Sequence, residues 1–194
     1  MSWIEILMIV VGVSLDIFAT MECQGSLVRK VNKKHLSIIC ILFTACQLCA
    51  LFLGYFISSR YCKGNPAGHE MILGQIIAVI IFLGLGVRFI IKAVRNEAID
   101  EHLITEFHIG KFVKIAFLSC ITTSLSGLAF GFFSLNLIVL LVLMVFCTIF
   151  FIVTGMYTGY HYGFEQKRIA YIIGAVLFVI AGADVIFRYI LKIV

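Results

Sequence analysis

The sequence predicts an all-α integral membrane protein, six transmembrane helices arranged as two inverted three-helix repeats. Three observations carry this. Of 194 residues, 62% are hydrophobic and 13% charged, against roughly 45–50% and about 25% in a soluble domain. A mean hydropathy of +1.13 and a single proline suit long apolar helices. The apolar residues fall into six runs, 4–21, 36–58, 71–91, 112–133, 135–155 and 169–190, each near the roughly 20 residues a helix needs to cross a bilayer. Strands of a membrane barrel would alternate apolar with polar residues, whereas these runs are solidly apolar. A helix also satisfies its own backbone in lipid.

The first run lacks a basic leading region and a small-x-small cleavage site, and it carries Glu5 and Asp16, so it is expected to remain as a span. Asp16 is the anomaly, because a carboxylate at that depth costs roughly 2.5–3.5 kcal/mol even on lenient scales. Its side chain is too short to reach water, so it is expected to face the bundle or a wet cavity in a functional role, with a structural ion pair as the alternative. At helical spacing Asp16 shares a face with Gly12, Thr20 and Cys23. Glu22 falls off that face, near the basic end of the helix, where pairing with Arg29 or Lys30 is expected.

In the second run, ACQLCA places Cys46 and Cys49 on one face at i,i+3. They read as small hydrophobes, or as a soft-metal pair. The seven cysteines are an odd number, with only Cys62 in an outside loop, so no disulfide framework is expected. The third run ends with Arg88 and Lys92, and Lys92 is expected to snorkel outward. Residues 96–110 read as a charged, solvated cytoplasmic linker, including His102, His108, Glu97, Asp100, Glu101 and Glu106. Ser119, Thr122, Thr123 and Ser126 in the fourth run follow i, i+3, i+4, i+7. Such a hydroxyl stripe either hydrogen-bonds between helices or lines a pathway. Gly155, Gly159 and Gly163 at the end of the fifth run read as a close-packing surface. Asp184, in the sixth, is too short to snorkel far.

The halves echo each other. SLDIFA at 14–19 recurs as SLSGLA at 124–129, and FLGLGVR at 82–88 as FVIAGAD at 178–184. The repeats are therefore 1–95 and 111–194 within a single membrane domain. Three spans in each half force opposite orientations, a transporter design with its site near the midplane. Basic residues set the orientation. Arg29, Lys30, Lys33, Lys34, Lys92, Arg95, Lys111, Lys114, Lys167 and Arg168 lie on one side, against Arg60, Lys63 and Lys192 on the other. Both termini are thus expected outside. The +5 net charge reflects this bias and does not indicate nucleic-acid binding.

GVSLDIFATMECQG resembles the first-repeat signature of the small bacterial manganese efflux pumps (the MntP type), carried by Gly12, Ser14, Asp16, Phe18, Ala19 and Gly25. Cys46-Gln47 followed by Leu53-Gly54-Tyr55-Phe56 is similar to that family's helix-two pattern, and Thr122 to Gly131 to its second-repeat signature. The chain departs from the family in three places. Ser126 stands where the family has an Asp, Asp184 where it has a basic residue, and Gln24 where a Lys is common. The resemblance implies export of a divalent cation, Mn²⁺, from the cytoplasm of a bacterium across its plasma membrane by alternating access. The expected oxygen ligands are Asp16, Thr20, Gln47, Thr122, Thr123 and Ser126, with Asp184 as the leading second acid and Glu22 behind it. Arg88, Cys46 and Cys49 are secondary candidates. A deep Asp can also exchange a proton for a cation. No cofactor is expected, and the partners are the bilayer and the cation, with self-association left open. An enzyme is not expected, because no GxxxxGK[ST], paired aspartates or Ser/His set appears. Two rivals stay open: a related exporter of a soft metal or amino acid, and a transport-inactive scaffold or partner subunit.

Overall fold

This computed structural model describes residues 3–27, 33–64, 68–94, 109–133, 136–163 and 166–187. They form six helices and, among the described residues, no strand: α1 (Trp3–Leu27), α2 (Lys33–Gly64), α3 (Gly68–Val94), α4 (Ile109–Phe132), α5 (Leu137–Tyr162) and α6 (Gln166–Val185). All six are long and apolar enough to cross a membrane. Most outlast the apolar runs that predict them, because hydropathy marks only the part in hydrocarbon while the helix continues into the interface. Lys33 and Lys34 therefore open α2, and Lys92 and Lys114 lie inside α3 and α4. The charged segment between α3 and α4 lies largely outside the described residues.

Local signals set two ends of α5. The Asn136 side chain accepts the Ile138 N–H at 3.2 Å, capping the first turn. Gly163, at φ 77°, closes the last turn by donating its N–H to the Gly159 carbonyl at 3.0 Å. That left-handed backbone favours glycine.

Helix α1 is central. Of its most apolar stretch 67% is buried, against 22% for α5. It packs on α5 and α6, while α4 packs on α2 and α3, and α3 meets α6. Glycines permit the closest approaches. A Cβ on Gly159 would collide with the Glu22 carbonyl, and one on Gly155 would stand 2.7 Å from the Phe18 carbonyl, so α5 lies directly on α1. Across the bundle, Gly54 of α2 faces the Ser124 carbonyl and Gly127 of α4 faces the Leu51 carbonyl. Phe82, Phe89, Phe130 and Phe178 fill the core, with Phe89 edge-on to Phe178 at 5.2 Å. Phe52, Phe117, Phe146 and Phe150 point outward. In water such a surface would drive association, but in a bilayer it meets lipid.

Candidate functional site

The polar residues gather at one level of the bundle, where α1 to α4 converge on Asp16. The Asp16 side chain is buried and Lys92 Nζ stands 2.6 Å from its Oδ1. From α4, Ser119 Oγ and Thr122 Oγ1 donate to Oδ2 at 3.4 and 3.3 Å. Behind them stands a second layer. Arg88 Nη1 donates to Thr122 Oγ1 at 2.9 Å, and Gln47 Nε2 to Ser119 Oγ at 3.0 Å. Thr123 Oγ1 donates to Gln47 Oε1. Each hydroxyl thus accepts from behind and donates toward the acid, and two chains of donors end on one carboxylate. Helical spacing explains the set: Ser119 and Thr122 share a face at i,i+3, and Arg88 and Lys92 share one at i,i+4.

Beside this network lies a cavity of about 380 Å³, whose lining includes Asp16, Cys23, Arg88, Lys92, Lys167 and Tyr171. These come from the C-terminal portions of α1 and α3 and the start of α6, so the cavity belongs to the end of the bundle that carries the basic loops. Among the described residues the lining holds one carboxylate and three basic side chains.

Several expected site residues stand elsewhere. Thr20 lines the cavity, but its hydroxyl donates to the Asp16 carbonyl at 2.6 Å and not to the carboxylate. Ser126 is buried with its hydroxyl on the Thr123 carbonyl at 2.8 Å. Asp184 lies in the last turn of α6, thirteen residues beyond Tyr171, which is about 20 Å along the helix. The structure does not bring it to Asp16. Glu22 is buried, and its Oε1 accepts the N–H of Gln166 at 2.8 Å, holding the start of α6; Arg29 and Lys30 lie outside the described residues. Cys46 lies against Cys120 of α4, and Cys49 is exposed on the outer surface. Among the described residues no three His, Cys, Asp or Glu side chains form a metal cage.

Lys92 corrects the sequence expectation. It does not reach outward; it turns in to Asp16, its ammonium 5.3 Å from the Tyr171 ring centre and 6.0 Å from that of Phe89. Its i,i+4 relation to Arg88 was a readable signal. Ser119 was visible only as part of the hydroxyl stripe, and no spacing pointed to Tyr171 or Lys167.

Six membrane-crossing helices around an embedded carboxylate and a polar cavity are the build of a small multi-pass membrane transporter. The Mntp family model, described as "Putative manganese efflux pump", matches residues 30–186, and the chain belongs to that family. Curated relatives called "Putative manganese efflux pump MntP" span nearly the whole chain. The one from Bifidobacterium adolescentis is 27% identical, covering 96% of each chain. That from Acetivibrio thermocellus is 25% identical over 97% of this chain and 92% of its own. The Campylobacter jejuni relative is 23% identical over 97% and 98%. No solved structure matches.

Proposed function

We propose that the chain exports Mn²⁺ from the cytoplasm by alternating access, with Asp16 as the carboxylate that anchors the ion. The observation that carries this reading is the Asp16 site, a buried acid reached from a cavity on the basic-loop side. Family membership and the relatives' names support manganese as the substrate. The donor set suits a hard ion that takes carboxylate, carbonyl and water oxygens. Asp16 supplies the charge, Ser119 and Thr122 hydroxyl oxygens stand beside it, and Gln47 orients Ser119. With a single carboxylate the ion keeps part of its water shell, for which the cavity has room.

The packing supports two inverted halves, 1–95 and 111–194. Helix α1 against α5 has its counterpart in α4 against α2, and Gly155 over Phe18 has its counterpart in Gly54 beside Leu128. With the basic loops inside, both termini face outward and the cavity opens to the cytoplasm, the loading state of an exporter. The chain acts as a carrier, not an enzyme.

The test is cellular manganese in an efflux-deficient, manganese-sensitive bacterium expressing the native chain or Asp16→Ala. Native cells should hold less manganese and survive higher doses, and the variant should give neither effect. Equal accumulation in the two would sink the proposal. A second reading draws on the three basic groups in the lining, which favour a substrate bearing its own carboxylate, such as an amino acid. Efflux of labelled amino acids, measured beside manganese in the same cells, separates the two.

A further inference from the structure

We infer that Lys92 is a tethered counter-cation: its ammonium holds Asp16 while the carrier is empty, and the transported ion displaces it. This rests on Asp16 being the ion-binding acid. The substrate it concerns is a divalent cation, and the step it concerns is the return of the empty carrier.

The geometry gives Lys92 the ion's place. Its Nζ stands 2.6 Å from Oδ1, whereas the two hydroxyls reach only Oδ2, at 3.3 and 3.4 Å. Those long contacts leave most of the charge to Lys92. A divalent ion seeking Oδ1 meets an ammonium already there, and two cations cannot share that oxygen. Without either one, the acid is a buried charge held by hydroxyls alone, which membrane interiors strongly disfavour.

Lys92 is also built to leave. It lies near the end of α3, with a side chain 26% exposed beside an acid only 1% exposed. Its flexible stem carries a compact point charge, and the faces of Tyr171 and Phe89 lie within cation–π range along the way out. Arg88 does not share this freedom. Its guanidinium is on Thr122, so it holds the hydroxyl layer in both conditions. A permanent structural pair would need none of the exposure, and would leave the ion no acid to bind.

The experiment separates two kinds of flux in proteoliposomes. In exchange, with radioactive manganese on one side and unlabelled manganese on the other, the carrier crosses loaded in both directions. In net efflux it must return empty. For Lys92→Met, net efflux should fall about tenfold or more while exchange changes less than about twofold, since only the empty carrier loses its counter-charge. Lys92→Arg, which keeps the charge, should recover most net efflux. Net efflux at the native level in Lys92→Met, or exchange and net efflux falling together in folded protein, would overturn the inference. A readout on the native chain covers the case in which Lys92→Met does not fold. Saturating Mn²⁺ should increase labelling of Lys92 by an amine-reactive reagent, read by mass spectrometry against Asp16→Asn. Unchanged or reduced labelling also overturns it. A native chain that neither exchanges nor exports manganese would instead defeat the transport reading itself.

Discussion

Residues 16 and 126 hold the same place in the similar strings SLDIFA and SLSGLA, yet they sit in different surroundings. Asp16 borders a cavity and ends two chains of donors that begin at Arg88 and Gln47, with Lys92 on its free oxygen. Ser126 is equally buried, but its hydroxyl does no more than return to the backbone of its own helix. The difference shows what a membrane-embedded acid requires. Asp16 is held by a cation and hydroxyls from other helices, while Ser126 satisfies itself within one turn. The side-chain hydrogen bonds between helices converge on Asp16, and the Ser126 hydroxyl stays within its own helix.

The largest effect should come from forcing the halves to match. Ser126→Asp would bury a charge at a fully buried position whose hydroxyl now bonds within its own helix, while Arg88 is already held by Thr122. An uncompensated buried charge costs on the order of 3 kcal/mol. Thermal melting in detergent should show a clear loss of stability, and membrane levels should fall with no rise in manganese efflux. A variant as stable as native, with higher efflux, would mean that the second half-site still accepts an acid and that the contrast is shallow.

An intermediate effect is expected from Gln47→Ala, which attacks the hydroxyl layer without touching the acid. Gln47 is 1% exposed and ties Ser119 to Thr123. Its loss leaves buried hydroxyls poorly satisfied, at about 1–3 kcal/mol, and lets Ser119 drift from Asp16. The manganese concentration for half-maximal efflux should rise about tenfold, the equivalent of roughly 1.4 kcal/mol. An unchanged value would show that the donors behind Ser119 and Thr122 do not position them.

How much of this was legible in the sequence depends on the kind of force involved. The six helices were, because hydrocarbon burial selects unbroken apolar runs, and the inward turn of Asp16 followed from its depth and short side chain. Helix ends were less so, since Glu22 and Lys33 lie in helices that hydropathy stops short of or starts after. Lys92 was misread because snorkelling considers only the nearest water, whereas the winning partner was an acid on another helix. Whether that acid is within reach depends on how α1, α3 and α4 dock, and those contacts rest on shape. Asp184 illustrates a different limit. An acid missing at Ser126 and another present at Asp184 suggested a relocated ligand, but Asp184 lies at the far end of α6 from the cavity-lining Lys167 and Tyr171.

The smallest effect should come from Ser126→Ala, and its smallness is the point. The hydroxyl is bonded to the Thr123 carbonyl three residues back, which that carbonyl's place in the helix does not require. Such local back-bonding contributes little, and alanine is the better helix former by a few tenths of a kcal/mol. Removing Oγ leaves room for little more than the lost atom, so packing changes slightly. Manganese efflux and melting temperature should both stay close to native. A loss of efflux comparable to that of Gln47→Ala would place Ser126 on the ion's route after all. It would mean that Ser126 meets the ion in a conformation other than this one.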